Sequence, residues 1–155
     1  MRPVEPPPAA GRTTLWVLAL LTAAALAVDA YVHADLAARY DPISASISQG
    51  DLFRIEAAAA SLAALLLVLR PTSRLVWGFA LLVISSALGA ILLYRYVNVG
   101  TLGPLPNMYE PVWFREKTHA AVVEAIGTAT ALAGFTLAVL RGRRRHAALQ
   151  RGVSR

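Results

Sequence analysis

Leu75-Val-Trp-Gly-Phe-Ala-Leu-Leu-Val-Ile-Ser-Ser-Ala-Leu-Gly-Ala-Ile-Leu-Leu-Tyr94 runs for twenty residues without a charge. A helix built from it has no polar face, and a water-soluble bundle needs one on every helix. At 1.5 Å per residue such a helix is about 30 Å long, the thickness of a bilayer's hydrocarbon core. This stretch decides the fold class. The chain reads as an all-α integral membrane protein.

Three further stretches have the same character, so the expected spans are 13–33, 51–69, 75–96 and 118–140. Together they make a four-helix bundle occupying 13–140. A proline-rich tail precedes it (1–12) and a basic tail follows it (141–155). The first tail has four prolines and little apolar content, and it reads as disordered. A cleavable signal is the rival reading of the first span. It is outweighed because the apolar run continues past Asp29 and three more spans follow. Apolar residues make up 57% of the 155, against 15% charged, which is too apolar for an ordinary soluble domain.

The sign of the loops sets an expected orientation. Ten arginines (2, 12, 70, 74, 141, 143, 144, 145, 151 and 155) flank one side of the spans, against five basic residues (Arg39, Arg54, Arg95, Arg115, Lys117) on the other. Lys and Arg accumulate on the cytoplasmic side. Both termini and the 70–74 turn are therefore expected inside, and 34–51 and 97–117 outside. The expected location is the bacterial plasma membrane, as a multi-pass protein. The arginine-rich end is read as an anchor beside anionic lipid and not as a nucleic-acid patch.

Local signals fill in the connections. Ser48-Gln-Gly-Asp51 has the spacing of a capping box opening helix 2. Arg70-Pro71 ends that helix, and the short turn to Arg74 makes helices 2 and 3 an antiparallel hairpin. Trp16 and Trp77 are placed at the inner interface, Tyr94 and Tyr96 at the outer one. Asn107 to Pro111 looks like a helix start. The outer-loop residues Tyr109, Trp113 and Phe114 are read as interface anchors or as a lid over an outward pocket.

Seven ionisable residues lie near the same end: Asp29, His33, Arg54, Glu56, Arg95, His119 and Glu124. Charge in hydrocarbon is costly, so each must be paired, hydrated or used. Asp29 and His33 are four apart and share a helix face. Gly127, Thr128, Ala131 and Gly134 extend the stripe of Glu124, and Thr22 and Ala25 lie on the face of Asp29. Ser85 and Gly89 form a small-residue pair on helix 3. Such stripes let membrane helices approach closely, so Asp29 and Glu124 should face other helices. One reading is a staple, with Asp29 or Glu124 paired to Arg54 or Arg95. The other is an outward polar vestibule.

Several chemistries find no support. There is no cysteine, which excludes disulfides, thiolate metal sites and CxxC-dependent quinone reduction. GxSxG, Walker A and GxGxxG are absent. Asp29, His33, His119 and Glu124 are suitable metal-ligand types, and His33 with His119 could imaginably hold haem. No HxxxH or HExxH spacing supports either, so no metal and no cofactor is expected.

Asp51-Leu-Phe-Arg-Ile-Glu-Ala57, Gly103-Pro-Leu-Pro-Asn-Met-Tyr-Glu-Pro-Val-Trp113 and the helix 4 glutamate together resemble a group of small four-span membrane proteins from actinobacteria. The resemblance covers most of 14–140 and implies no activity. The layout is also similar to DoxX-like bundles, with no residue match that carries over a role. The leading functional expectation is a non-enzymatic accessory or assembly protein that contacts the bilayer, other membrane proteins or itself. The second is a ligand- or ion-binding, transport-related bundle. The third is a membrane redox or metal enzyme.

Overall fold

A computed structural model describes residues 10–153, and the expected disordered tail lies outside them up to residue 9. The described chain is four α-helices: α1 (Ala10–Tyr40), α2 (Gln49–Leu69), α3 (Arg74–Tyr96) and α4 (Arg115–Val153). Each contains a segment long and apolar enough to cross a membrane: Gly11–Tyr40, Gln49–Leu69, Arg74–Tyr96 and Arg115–Arg144. Neighbours in sequence pack side by side, α4 closes the ring against α1, and α1 barely touches α3 across the diagonal. One end of the bundle, called the chain end below, carries the start of α1, the last turns of α4 and the 70–73 turn. The other carries the two long connections and is called the loop end below.

Two helices outrun their expected limits. α1 continues past His33 to Tyr40 because Ala34-Asp-Leu-Ala-Ala-Arg39 are helix-compatible and Leu36, Ala37 and Tyr40 are buried. It stops where Asp41 precedes Pro42, a position that disfavours helix. α4 runs through the basic segment to Val153, since no proline follows Pro111 and the single Gly142 does not end it. The helix start expected at Asn107–Pro111 is not one. Asn107 Oδ1 accepts from the Tyr109 amide at 3.0 Å, a turn that competes with helix, and α4 begins at Arg115. The capping box forms as read: Asp51 N–H donates to Ser48 Oγ at 2.9 Å, and Ser48 N–H reaches Asp51 Oδ2 at 3.4 Å.

The core fills the half of the bundle nearer the chain ends. Leu15, Ala19, Leu26, Ala60, Leu67, Trp77, Ala80, Ile84 and Ala131 are all essentially sealed. Trp77 is therefore not an interface anchor. Its indole lies in the core, and its N–H, which must find an acceptor when buried, donates to the Pro71 carbonyl at 2.8 Å. Gly134 makes room for that ring, since a Cβ there would overlap it. Gly127 does the same for Ile84 and Ala25. The stripe on α4 thus lies against α1 and α3 as its spacing implied. The Ser85/Gly89 pair does not: a Cβ on Gly89 meets nothing within 4 Å, and α3 packs instead through Trp77, Ala80, Ile84 and Ala87.

Two predictions follow from this packing. Gly134→Leu should overpack the Trp77 pocket and cost roughly 1–3 kcal/mol. Gly89→Ala should leave stability unchanged or slightly raised. Thermal unfolding of both variants in detergent checks the pair. The second concerns the α1–α2 corner, where exposed Asp41 accepts from Arg54 Nη1 at 2.7 Å and Nη2 at 2.8 Å. The Arg54 hydrogen bonds hold the Asp41 carboxyl below its ordinary value. Its contribution is therefore complete above the unfolded aspartate value, about 3.9, and is lost as pH falls through the lower folded value. Asp41→Asn should remove that component from an acid titration of thermal stability.

Candidate functional site

The loop end divides the seven ionisable residues into an inner and an outer set. By helical rise, His33 and Glu56 lie about 10 Å below the last turns of α1 and the first of α2, and Asp29 and Glu124 about 13–16 Å. Asp29 and Glu124 are fully buried (0% exposed) and His33 nearly so (9%). They come from α1 and α4, and one ligand-type atom of each lies within 4.8 Å of the others. Thr22 and Thr130 fix the same helix pair two turns nearer the chain ends, hydroxyl to hydroxyl at 2.8 Å.

Hydrogen bonding within this inner set is incomplete. His33 Nδ1 lies 3.0 Å from the Asp29 carbonyl oxygen and 2.9 Å from Asp29 Oδ1. A proton on Nδ1 points at the carbonyl, so Oδ1 is in contact with the ring but off the line of its N–H. Both carboxylate oxygens of Asp29, both of Glu124 and Glu56 Oε1 are buried without a hydrogen-bond partner. Buried polar groups are almost always satisfied, and five orphaned carboxylate oxygens in one place call for a physical explanation.

The arginine staples read from the sequence are absent. Arg54 is exposed and held by Asp41, with Asp51 at 3.1 Å as a further partner. Arg95 sits with its guanidinium carbon 5.0 Å from the Tyr96 ring centre and 5.6 Å from that of Trp113. Cation–π contact thus serves Arg95 alone of the two, and its Nε is buried without a hydrogen-bond partner. His119 is exposed on α4 and does not join the inner set, so the haem pairing with His33 and the four-ligand metal set both fail on geometry.

A cavity of about 340 Å³ lies beside the inner set at the loop end. His33 and Glu56 reach it; Asp29 and Glu124 do not, being sealed behind them. Its walls are largely apolar, with Leu36, Phe53, Ile91 and Phe114 among them. The His33 ring meets Phe53 edge-on, centroids 5.0 Å apart. Of the expected lid residues, Phe114 lines the cavity. Tyr109 and Trp113 do not; they are partly exposed, and Trp113 instead backs Arg95.

Tyr40, Glu110 and Lys117, none of them singled out from the sequence as site residues, fasten the covering segment. The Glu110 amide donates to the Tyr94 carbonyl at 3.0 Å, tying the segment to the end of α3. Its carboxylate accepts from the Tyr40 hydroxyl, 3.1 Å to each oxygen. Buried Lys117 donates to the Glu110 carbonyl at 2.6 Å and lies 3.5 Å from Glu110 Oε2. Two glycines with positive φ, Gly100 (67°) and Gly103 (58°), turn the chain before this strap. The one available sequence signal was Lys117, the only lysine, placed at the start of a span.

No protein family, no characterised protein and no solved structure matches this chain, so its site stands on its own geometry.

Proposed function

We propose that this is a multi-pass protein of the bacterial plasma membrane that binds a small amphiphile in its outward-facing cavity. Both chain ends then lie in the cytoplasm and the two long connections outside, which the ten-to-five bias of basic residues supports.

The observation that carries the binding reading is the cavity itself. Its apolar walls end at Glu56, whose Oε1 is buried and has no donor. Its volume of about 340 Å³ is that of a small ligand site. The other charged groups at its mouth satisfy one another, Lys117 and Tyr40 both on Glu110. The unmet demand is thus for a hydrogen-bond donor, and a cationic one is favoured beside a carboxylate. An alkyl chain with an amine head has the matching chemistry. This reading takes precedence over a purely accessory role. A purely register-fixing role predicts a basic partner for the Glu124 carboxylate, and the arginines read as its staple, Arg54 and Arg95, are held elsewhere.

Decylamine, decanol and decanoate test it on protein held in nanodiscs. Decylamine should raise the unfolding temperature most and decanoate least, and Ala90→Trp, which fills the cavity wall, should abolish the difference. Equal shifts for the three compounds, or a preference that survives Ala90→Trp, would reject the reading. Orientation has its own check. A reporter fused after the last residue should be active only in the cytoplasm, and a periplasm-active fusion there reverses the topology.

A further inference from the structure

We propose that Asp29, His33 and Glu124 form a binding site for one divalent transition-metal ion of the zinc or manganese type. The site goes beyond the amphiphile cavity, and it holds whether or not that cavity takes an amphiphile.

Geometry is the first support. Asp29 and His33 lie one turn apart on α1, and Glu124 faces them from α4, with candidate ligand atoms within 4.8 Å of one another. Ligand bonds of about 2.0–2.2 Å in a tetrahedral site put ligand atoms about 3.4 Å apart. Closing from within 4.8 Å to that spacing is a contraction of roughly 1.4 Å at most. Three protein ligands leave one position open, the pattern of sites that exchange a water or a substrate.

The unpartnered atoms are the second support, independent of the first. Both side chains that supply carboxylates are fully buried, and their four oxygens accept no hydrogen bond of good geometry, although His33 Nδ1 lies 2.9 Å from Asp29 Oδ1. Arg54, Arg95 and Lys117, three of the five basic residues around the loop end, are engaged by Asp41, by Trp113 and by Glu110. The fold therefore keeps its own cations away from the place where they would be worth most.

Charge selects the class of ion. Two carboxylates and a neutral imidazole carry two negative charges, and a divalent cation brings the set to zero. A monovalent ion would leave one negative charge, and isolated charge in hydrocarbon is what the bilayer penalises. Donor type narrows the choice further. An imidazole beside carboxylates suits zinc, iron or manganese, whereas calcium and magnesium prefer all-oxygen sets. His33 supplies the route, since it belongs both to the site and to the cavity wall.

The test uses full-length protein purified without a histidine tag, stripped with chelator and dialysed against zinc or manganese chloride. Elemental analysis should find one ion per chain, and the ion should raise the unfolding temperature. His33→Ala and Glu124→Gln should each reduce the bound metal to background, while His119→Ala should retain it. Cobalt loading gives a second readout: the visible bands should change in His33→Ala and not in His119→Ala. A stripped protein whose unfolding temperature ignores zinc and manganese overturns the proposal, and this needs no variant to fold. Full metal content in Glu124→Gln overturns it as well. So does a Glu124→Gln protein that is more stable than the parent while the parent binds no ion, for a shared proton then accounts for the pair.

Discussion

The close approach of α1 and α4 governs this structure. Gly127 has no Cβ, and the space it leaves is taken by Ala25 of α1 and Ile84 of α3. One turn toward the chain ends, Thr130 meets Thr22 by a hydroxyl hydrogen bond of 2.8 Å. One turn toward the loop end, the same approach leaves Glu124 no direction except against Asp29. In a membrane, association depends on close van der Waals contact because lipid tails are as apolar as side chains. The small residues that supply this contact thus also force two carboxyl groups together.

The approach also divides the bundle by chemistry. Toward the chain ends the interior is Leu15, Leu26, Leu67, Trp77 and Ile84, packed without an orphaned polar group apart from Thr128 Oγ1. Toward the loop end the helices are spaced by His33, Phe53 and Glu56, and a cavity remains between them. The difference follows from residue size along α4. Gly127, Ala131 and Gly134 draw the bundle tight over the chain-end half. At the other end Phe114, just before α4, and Lys117 line the cavity.

Much of this was legible in the sequence, and the misses have physical causes. The twenty uncharged residues from Leu75 fixed the class, and period and proline placed the helices. The α4 stripe and the capping box at Ser48 followed from spacing alone. Position along the helix was read for Arg54 and His119, but not that both face outward. Spacing along one helix gives height, and the direction a side chain faces depends on its neighbours. Arg54 found Asp41, which lies thirteen residues earlier across a turn whose path the sequence left open. Trp77 looked like an interface residue because tryptophans gather there. It is instead buried because Gly134, on another helix, clears its ring. Glu110 was hidden for a related reason: its partners are Tyr40, Tyr94 and Lys117, from three different helices.

The strap over the cavity is fastened differently from the rest of the molecule, and this bears on how the site would open. Its ties are hydrogen bonds and one ion pair on Glu110, the Ile47 amide donating to the Pro104 carbonyl at 3.1 Å, and Trp113 against Arg95, with Phe114 as its aromatic contact with the cavity. None of its residues belongs to the apolar cluster at the chain-end half. The strap's ties therefore lie apart from Trp77 and the α4 glycines. Segments held by few buried apolar contacts are the ones that open below the global unfolding free energy. A bundle that is tight at one end and strapped at the other can admit an ion or an amphiphile while its helices stay in place.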